Sequence, residues 1–414
     1  MENVFIGPSH SLSYHGMSDG EIFDSLLANN SPLDGISSLL ESALENKIVG
    51  RIPWDEILKH PIKNGCVNNG PIEARYAYVA TRLLLEEHGL VERVQGQETG
   101  LYVGTMNNWY GLVGLRNGYR ICANSNLEYE KEVFESRIGT GFSYVHPMVP
   151  VYKIPNNVIA NLALDYEISG ENANYFGEDS GSVAIQESYV KIRNGLLPRC
   201  LAINSVHLFV NYLDFFFLEI HNFSKKNPQF CPEKDSVYYP SEWAGAFLFM
   251  SEAEVEKSSL TPRARVLSGV QFSYLEKYFQ RTLPPDVLSA VVDKGLRAAG
   301  LSWKDLDLLL FDNFAEEQVQ LNHFLERNQK DKASVILLSP SLLCGHPICA
   351  TGSTHLGLAL SILDQQKVFS SYLKGQVPKN PRLTSKAESA EVKKIGILTQ
   401  SLNNALHFMV LEKV

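Results

Sequence analysis

The chain has 414 residues, of which 44% are hydrophobic and 20% charged, and its formal net charge is −9. That balance excludes an intrinsically disordered chain and makes nucleic acid or an anionic lipid surface a poor partner for the molecule as a whole. Its six cysteines, at 66, 122, 200, 231, 344 and 349, form no CxxC pair, which argues against a disulfide framework and against a structural zinc site.

In chain order, the first predicted element is a strand at Val4 to Gly7. A helix from about Asp19 to Asn29 follows, with Ser18 or Asp19 as its cap. Arg75 to Glu87 reads as a helix with Tyr78, Leu83 and Leu84 on an apolar side, and Gly100 to Gly104 as a short buried strand. Pro155 opens a helix over Asn156 to Tyr166. A further helix stops at Asn194 and Gly195, and a strand follows at Cys200 to Asn204. Strands are predicted at Ala244 to Met250 and Arg265 to Val270. Then come a helix at Pro285 to Ala299, a strand at Asp307 to Phe311 and a helix at Glu316 to Asn328. A glycine-containing segment from Cys344 leads into a helix ending near Gln366, and two strands close the chain at Lys394 to Thr399 and Leu406 to Glu412. Alternation of this kind in both halves predicts an α/β fold with mostly parallel sheets. The segments Asn222 to Ser236 and Leu373 to Glu391 read as polar loops. No basic region followed by an apolar run opens the chain, and no window reaches about 18 uninterrupted apolar residues. The expectation is a cytoplasmic protein with no membrane contact, no bound metal and no nucleic acid.

Several segments carry a family resemblance. Pro155 to Asn172 fits the pattern PNNxxxxxAxxxxxxGxN without a gap, and Glu178 to Gly181 then stand where a C-A-S-G tetrapeptide would. Ser241 to Ala246 is similar to a GEGA-type turn with its first and third positions altered. Gly345, His346, Ala350 and Gly352 fit GHxxxAxG, and Asn404 and Ala405 fit a TNA ending. In this order the segments resemble the β-ketoacyl synthases over nearly the whole chain. The resemblance implies a thiolase-like fold of two pseudo-twofold α/β halves in an α-β-α-β-α arrangement, here residues 1–252 and 253–414.

Condensation in that family needs a thiol at a helix start, two imidazoles and a lysine five residues before the second histidine. The nucleophile position holds Glu178, or Asp179 if the deleted residue lies elsewhere in the preceding loop. The first histidine position holds Asn313, or else Asp312. Position 341 is Ser341, and the FGFGG loop is replaced by Leu398 to Leu402. Only His346 remains, and it also reads as a residue that simply caps and packs. Glu178 reads equally as a carboxylate favoured by a helix N-terminus. His355 reads as an ordinary surface or core residue.

The resemblance therefore implies a silent subunit, the chain-length factor of a type II polyketide synthase. Such a subunit pairs with a catalytic ketosynthase and meets an acyl carrier protein. It binds no cofactor of its own, although the carrier's phosphopantetheine reaches the complex. Met106, Trp109, Tyr110, Leu112 and Phe176 are candidates for the channel that sets product length. The aromatic run from Phe209 to Phe223 reads more simply as core. Alternatives are a malonyl-carrier-protein decarboxylase using Glu178 as an acyl-cysteine mimic, an acyl-binding scaffold, and the same role in an aryl polyene pathway.

Overall fold

A computed structural model describes residues 1–28, 34–35, 48–62, 64–68, 70–106, 156–208, 240–273, 285–311, 335–338, 340, 344–366, 369, 391–401 and 405–414. Among these residues ten strands make the main sheet: β1 Val4–Ser13, β2 Thr99–Thr105, β3 Asn172–Phe176, β4 Arg199–Val206, β5 Trp243–Ser251, β6 Ala264–Ser273, β7 Leu308–Phe311, β8 Ile336–Leu338, β9 Lys394–Gln400 and β10 Ala405–Lys413. The helices used below are α1 Asp19–Leu27, α2 Ile72–Glu87, α3 Asn157–Asp165, α4 Ser180–Arg193, α5 Glu252–Ser258, α6 Pro285–Ala298 and α7 Thr351–Asp364. No helix among the described residues is long and apolar enough to cross a membrane.

The order across the sheet is β8-β7-β9-β10-β6-β1-β5-β4-β2-β3. From the centre outwards, β1-β5-β4-β2-β3 repeats as β6-β10-β9-β7-β8, and the strand directions repeat with it. In each set the first two pairings are antiparallel and the last two parallel. The two sets meet where Val4, Phe5 and Ile6 pair antiparallel with Val266, Arg265 and Ala264. One five-stranded plan is thus used twice.

Strand alternation sorts the apolar residues into layers. On β4, Cys200 and Ala202 face a cluster shared with α4 and α7, while Leu201 and Ile203 face α2 and α3. On β10, Met409 and Leu411 face the shared cluster, and Phe408 and Val410 face α6. Helices α4 and α7 therefore form the middle layer, with α2 and α3 outside one half and α6 outside the other.

The predicted elements recur with wider limits. Ser18 caps α1, its hydroxyl accepting from the Glu21 amide at 3.3 Å. Gly195 ends α4 at φ +68°, a backbone angle that favours glycine. Ala173 to Gly177, read from sequence as a loop, is corrected: Asn172–Phe176 is strand β3, paired in parallel with β2 from Leu101 to Thr105. Strand β8 and helix α5 have no counterpart in the sequence reading. His355 is a core residue of α7. The helix expected at Glu316 to Asn328, most of both polar loops and the aromatic run from Phe209 lie outside the described residues.

A partly buried ion-pair cluster ties α1 to α7. The Arg263 guanidinium donates to Asp19 Oδ2 at 2.6 Å, to Ser9 Oγ and to Asp364 Oδ2 at 2.8 Å. Burial alone would raise the Asp19 pKa. The Arg263 charge and hydrogen bonds from Ser9, Arg263 and Ser11 outweigh it and hold the carboxyl below its ordinary value. Stability from this group is therefore full above about pH 4 and is lost as pH falls through the depressed value. Asp19→Asn is expected to cost about 3 kcal/mol at pH 7. The variant should also show a shallower loss of stability than the parent below pH 4, measured by urea denaturation across pH.

Candidate functional site

The site assembles where the carboxyl ends of the parallel strands β2 and β4 meet the starts of α4 and α7. β3 ends at Phe176, and Gly177 turns the chain at φ +120°, an angle open to glycine and costly for other residues. Glu178 and Asp179 follow, both half-buried, with Asp179 as the N-cap residue of α4. Ser180 Oγ then donates to the Thr105 carbonyl at 3.2 Å. Gly104 lies so close beneath that any side chain there would strike the Ser180 carbonyl. Asn204 Nδ2 donates to the Gly104 carbonyl at 2.6 Å, and Asn204 Oδ1 accepts from Ser353 Oγ of α7 at 3.0 Å. One asparagine thus joins both strand ends to the second helix.

The start of α7 mirrors the start of α4. Each helix has 14 residues and a glycine at its second position, Gly181 and Gly352. Three residues ahead of each helix the backbone has positive φ, at Gly177 and at Ile348 (φ +47°). A β-branched residue held there stores about 1–3 kcal/mol of strain. In this repeat Cys349 stands where Glu178 stands in the first half. The Cys349 thiol is buried and faces the Ser205 carbonyl at 3.7 Å, and burial pushes its pKa up. Burial likewise raises Cys200 and pushes Cys344 up to about 12. A thiol held protonated in this way is a poor nucleophile. The side chains of Cys66, Cys122 and Cys231 lie outside the described residues.

His346 is buried ahead of α7, after Gly345 at φ +69°. Its backbone bridges to Pro240, and its carbonyl accepts from the Ser241 amide at 3.1 Å. The next residue, Glu242, is a fully buried carboxylate. It accepts from the amides of Ile52 (3.0 Å) and Leu208 (3.1 Å) and from Tyr76 Oη (2.9 Å), and His207 Nδ1 lies 2.6 Å away.

Of the channel candidates, Met106 is half-buried against the core just after β2. Phe176 is 40% exposed on the outermost strand, paired in register with Thr105. These two therefore share one corner ahead of α4. Trp109, Tyr110, Leu112, Asp312, Asn313 and Ser341 lie outside the described residues. Leu398 to Gln400, the start of the segment replacing the FGFGG loop, belong to strand β9.

Sequence reasoning missed one polar group. His407 is buried on β10, with its Nε2 3.6 Å from Asp179 Oδ2. Thr399 lies directly across from it on β9 and shares a 3.0 Å hydrogen bond with Ser182 of α4. The available signal was phase: 407 alternates with Met409 and Leu411, both core residues. Among the described residues no group of His, Cys, Asp and Glu could hold a metal ion. The helix starts offer amides and dipoles to an anion or a polarised carbonyl.

No family model matches the chain, and no curated protein matches it. Solved structures do. One is an acyl-carrier protein of a type II polyketide synthase in complex with its ketosynthase bound to the hexaketide (AntDE with AntF). The match has a TM-score of 0.68 and 14% identity and covers 100% of this chain and 99% of that one. A β-ketoacyl synthase from Burkholderia phymatum STM815 matches with a TM-score of 0.73 and 14% identity over 100% of both chains. The ishigamide ketosynthase/chain length factor matches with a TM-score of 0.66 and 15% identity over 100% of this chain and 99% of that one. At such identities the likeness establishes the fold: the chain has the two-half, thiolase-like architecture of the ketosynthases.

Proposed function

We propose that this chain is a non-catalytic chain-length factor, the partner of an active ketosynthase in a type II polyketide synthase. The observation that carries the reading is the turn between β3 and α4. A condensing enzyme needs a thiol there, and this chain presents Glu178. A carboxylate at a helix start is electrostatically comfortable but forms no stable thioester through sulfur. The repeated turn ahead of α7 carries a thiol, Cys349, which is buried and protonated and so does not substitute. In this reading the partner holds the growing chain on its own cysteine and receives extender units from an acyl carrier protein through the phosphopantetheine arm. This subunit supplies wall and floor to the channel, with Met106 and Phe176 at its corner, and stops elongation by steric exclusion. The site of action is the cytoplasm. Both expected halves, 1–252 and 253–414, contribute to that wall.

Co-expression with a cognate ketosynthase is expected to give a stable 1:1 complex. During turnover, intact-mass analysis should find the acyl adduct on the partner and none on this chain. Met106→Ala should shift products to longer chains at an unchanged rate of initiation. An acyl adduct on this chain, or elongation by the chain alone, would overturn the reading.

A further inference from the structure

The inner face of the second half-sheet is apolar in phase except at one place. Ile395 and Ile397 on β9, and Met409 and Leu411 on β10, face the middle helices α4 and α7. At the next inward positions stand Thr399 and His407, directly opposite one another across the strands, with Ser182 of α4 hydrogen-bonded to Thr399. These three polar side chains, with Gln186 of α4, line one cleft with about 20 Å³ of space, room for one water-sized group such as a hydroxyl. Its remaining walls are mainly apolar: Ile185, Leu356, Ile397 and Met409. Apolar walls with a few convergent polar groups are the make-up of a recognition site for one polar group on an otherwise apolar ligand.

His407 is what requires an occupant. Its side chain is 8% exposed, and neither ring nitrogen has a hydrogen-bond partner among the described residues. Burying an imidazole unsatisfied is unfavourable, and such groups are ordinarily met by a ligand or water. The Asp179 carboxylate, 15% exposed and 3.6 Å from Nε2, favours the ring proton on that nitrogen. The Nδ1 lone pair is then an acceptor. An acceptor of this type takes a hydroxyl proton and is repelled by a carbonyl oxygen.

We propose that this cleft recognises the hydroxyl group of a β-hydroxyacyl chain, with His407 as its hydrogen-bond acceptor, Asp179 as the residue that sets the ring tautomer, and Ser182 and Thr399 completing the polar end. The inference rests on the reading that this chain lines an acyl channel, and it narrows that reading to an acyl group reduced at its β-carbon.

Calorimetry on the full-length chain tests it with two probes, the N-acetylcysteamine thioesters of 3-hydroxybutyrate and 3-oxobutyrate. The hydroxy probe should bind at least about tenfold tighter than the oxo probe, because only it satisfies the buried nitrogen. His407→Leu restores the apolar phase of β10 and should bring the two affinities within about twofold. Thr399→Val, as a second variant, should weaken the hydroxy probe while leaving the oxo probe unchanged. Equal affinity for the two probes, preference for the oxo probe, or no binding of either would overturn the proposal. Co-purification with the ketosynthase is scored separately. A chain that pairs but shows no hydroxyl preference loses this site and keeps the proposed function. A chain that shows the preference but never pairs loses the proposed function and keeps the site.

Discussion

Gly181→Val is expected to leave no soluble folded protein, although the residue carries no side chain and takes no part in chemistry. A Cβ at this position would lie 2.5 Å from the Cys349 carbonyl oxygen and 2.7 and 2.8 Å from atoms of the Asn204 side chain. Neither neighbour can retreat. The carbonyl belongs to the turn that launches α7, and Asn204 is held by the Gly104 carbonyl and by Ser353. Alanine alone should cost about 2–4 kcal/mol, and the branched valine should exceed the whole stability of an ordinary domain. Gly20→Ala provides the contrast. Position 20 lies in α1 with no atom within 4 Å of a new Cβ, and the change should be neutral or add up to about 1 kcal/mol. Soluble yield and thermal melting of the three variants side by side check the expectation.

Glu242→Ala should be nearly as damaging, for a different reason. The carboxylate receives the Ile52 and Leu208 amides and the Tyr76 hydroxyl in a site closed to water, with the His207 ring beside it. Removing it strands those donors, and the expected loss is about 3–5 kcal/mol. Glutamine keeps the shape but turns an amino group towards groups that also donate, so it should recover less than half of that loss. Tyr76→Phe removes one donor together with its need for a partner, and should cost only about 1 kcal/mol. Guanidinium denaturation orders the three variants. Limited proteolysis adds a local readout, with the peptide bonds around Ile52 and Leu208 becoming cleavable first in Glu242→Ala.

What was legible in the sequence followed the strength of local signals. Helices α2 and α4 announced themselves through apolar spacing and a glycine stop, and β4 and β5 through uninterrupted apolar runs. Strand β3, by contrast, carries two asparagines in five residues, Asn172 and Asn174, and has little preference for extended backbone of its own. It is a strand because it pairs with β2, a contact invisible until the chain is folded. β8 is three residues long, too short for periodicity to register. Motif order marks Glu178, or Asp179, and both lie in the turn between β3 and α4. His407 was not legible, because a single histidine among Leu406, Phe408 and Met409 differs little from an ordinary buried one. Only strand pairing shows that Thr399 stands opposite it, and only helix packing brings Ser182 and Asp179 to the same place.

The interlock of the two helix starts bears on how such a molecule changes over generations. Gly181 presses on the turn before α7, and Gly352 leaves no room for anything larger beside Ser182. Each repeat is the mould in which the other sets, so a side chain added at either glycine distorts both, whatever the protein is used for. Glu178, half-buried two residues ahead of α4, stands beside that lock. A change at either glycine is felt by both repeats together, so the shape at the two helix starts is inherited as one unit.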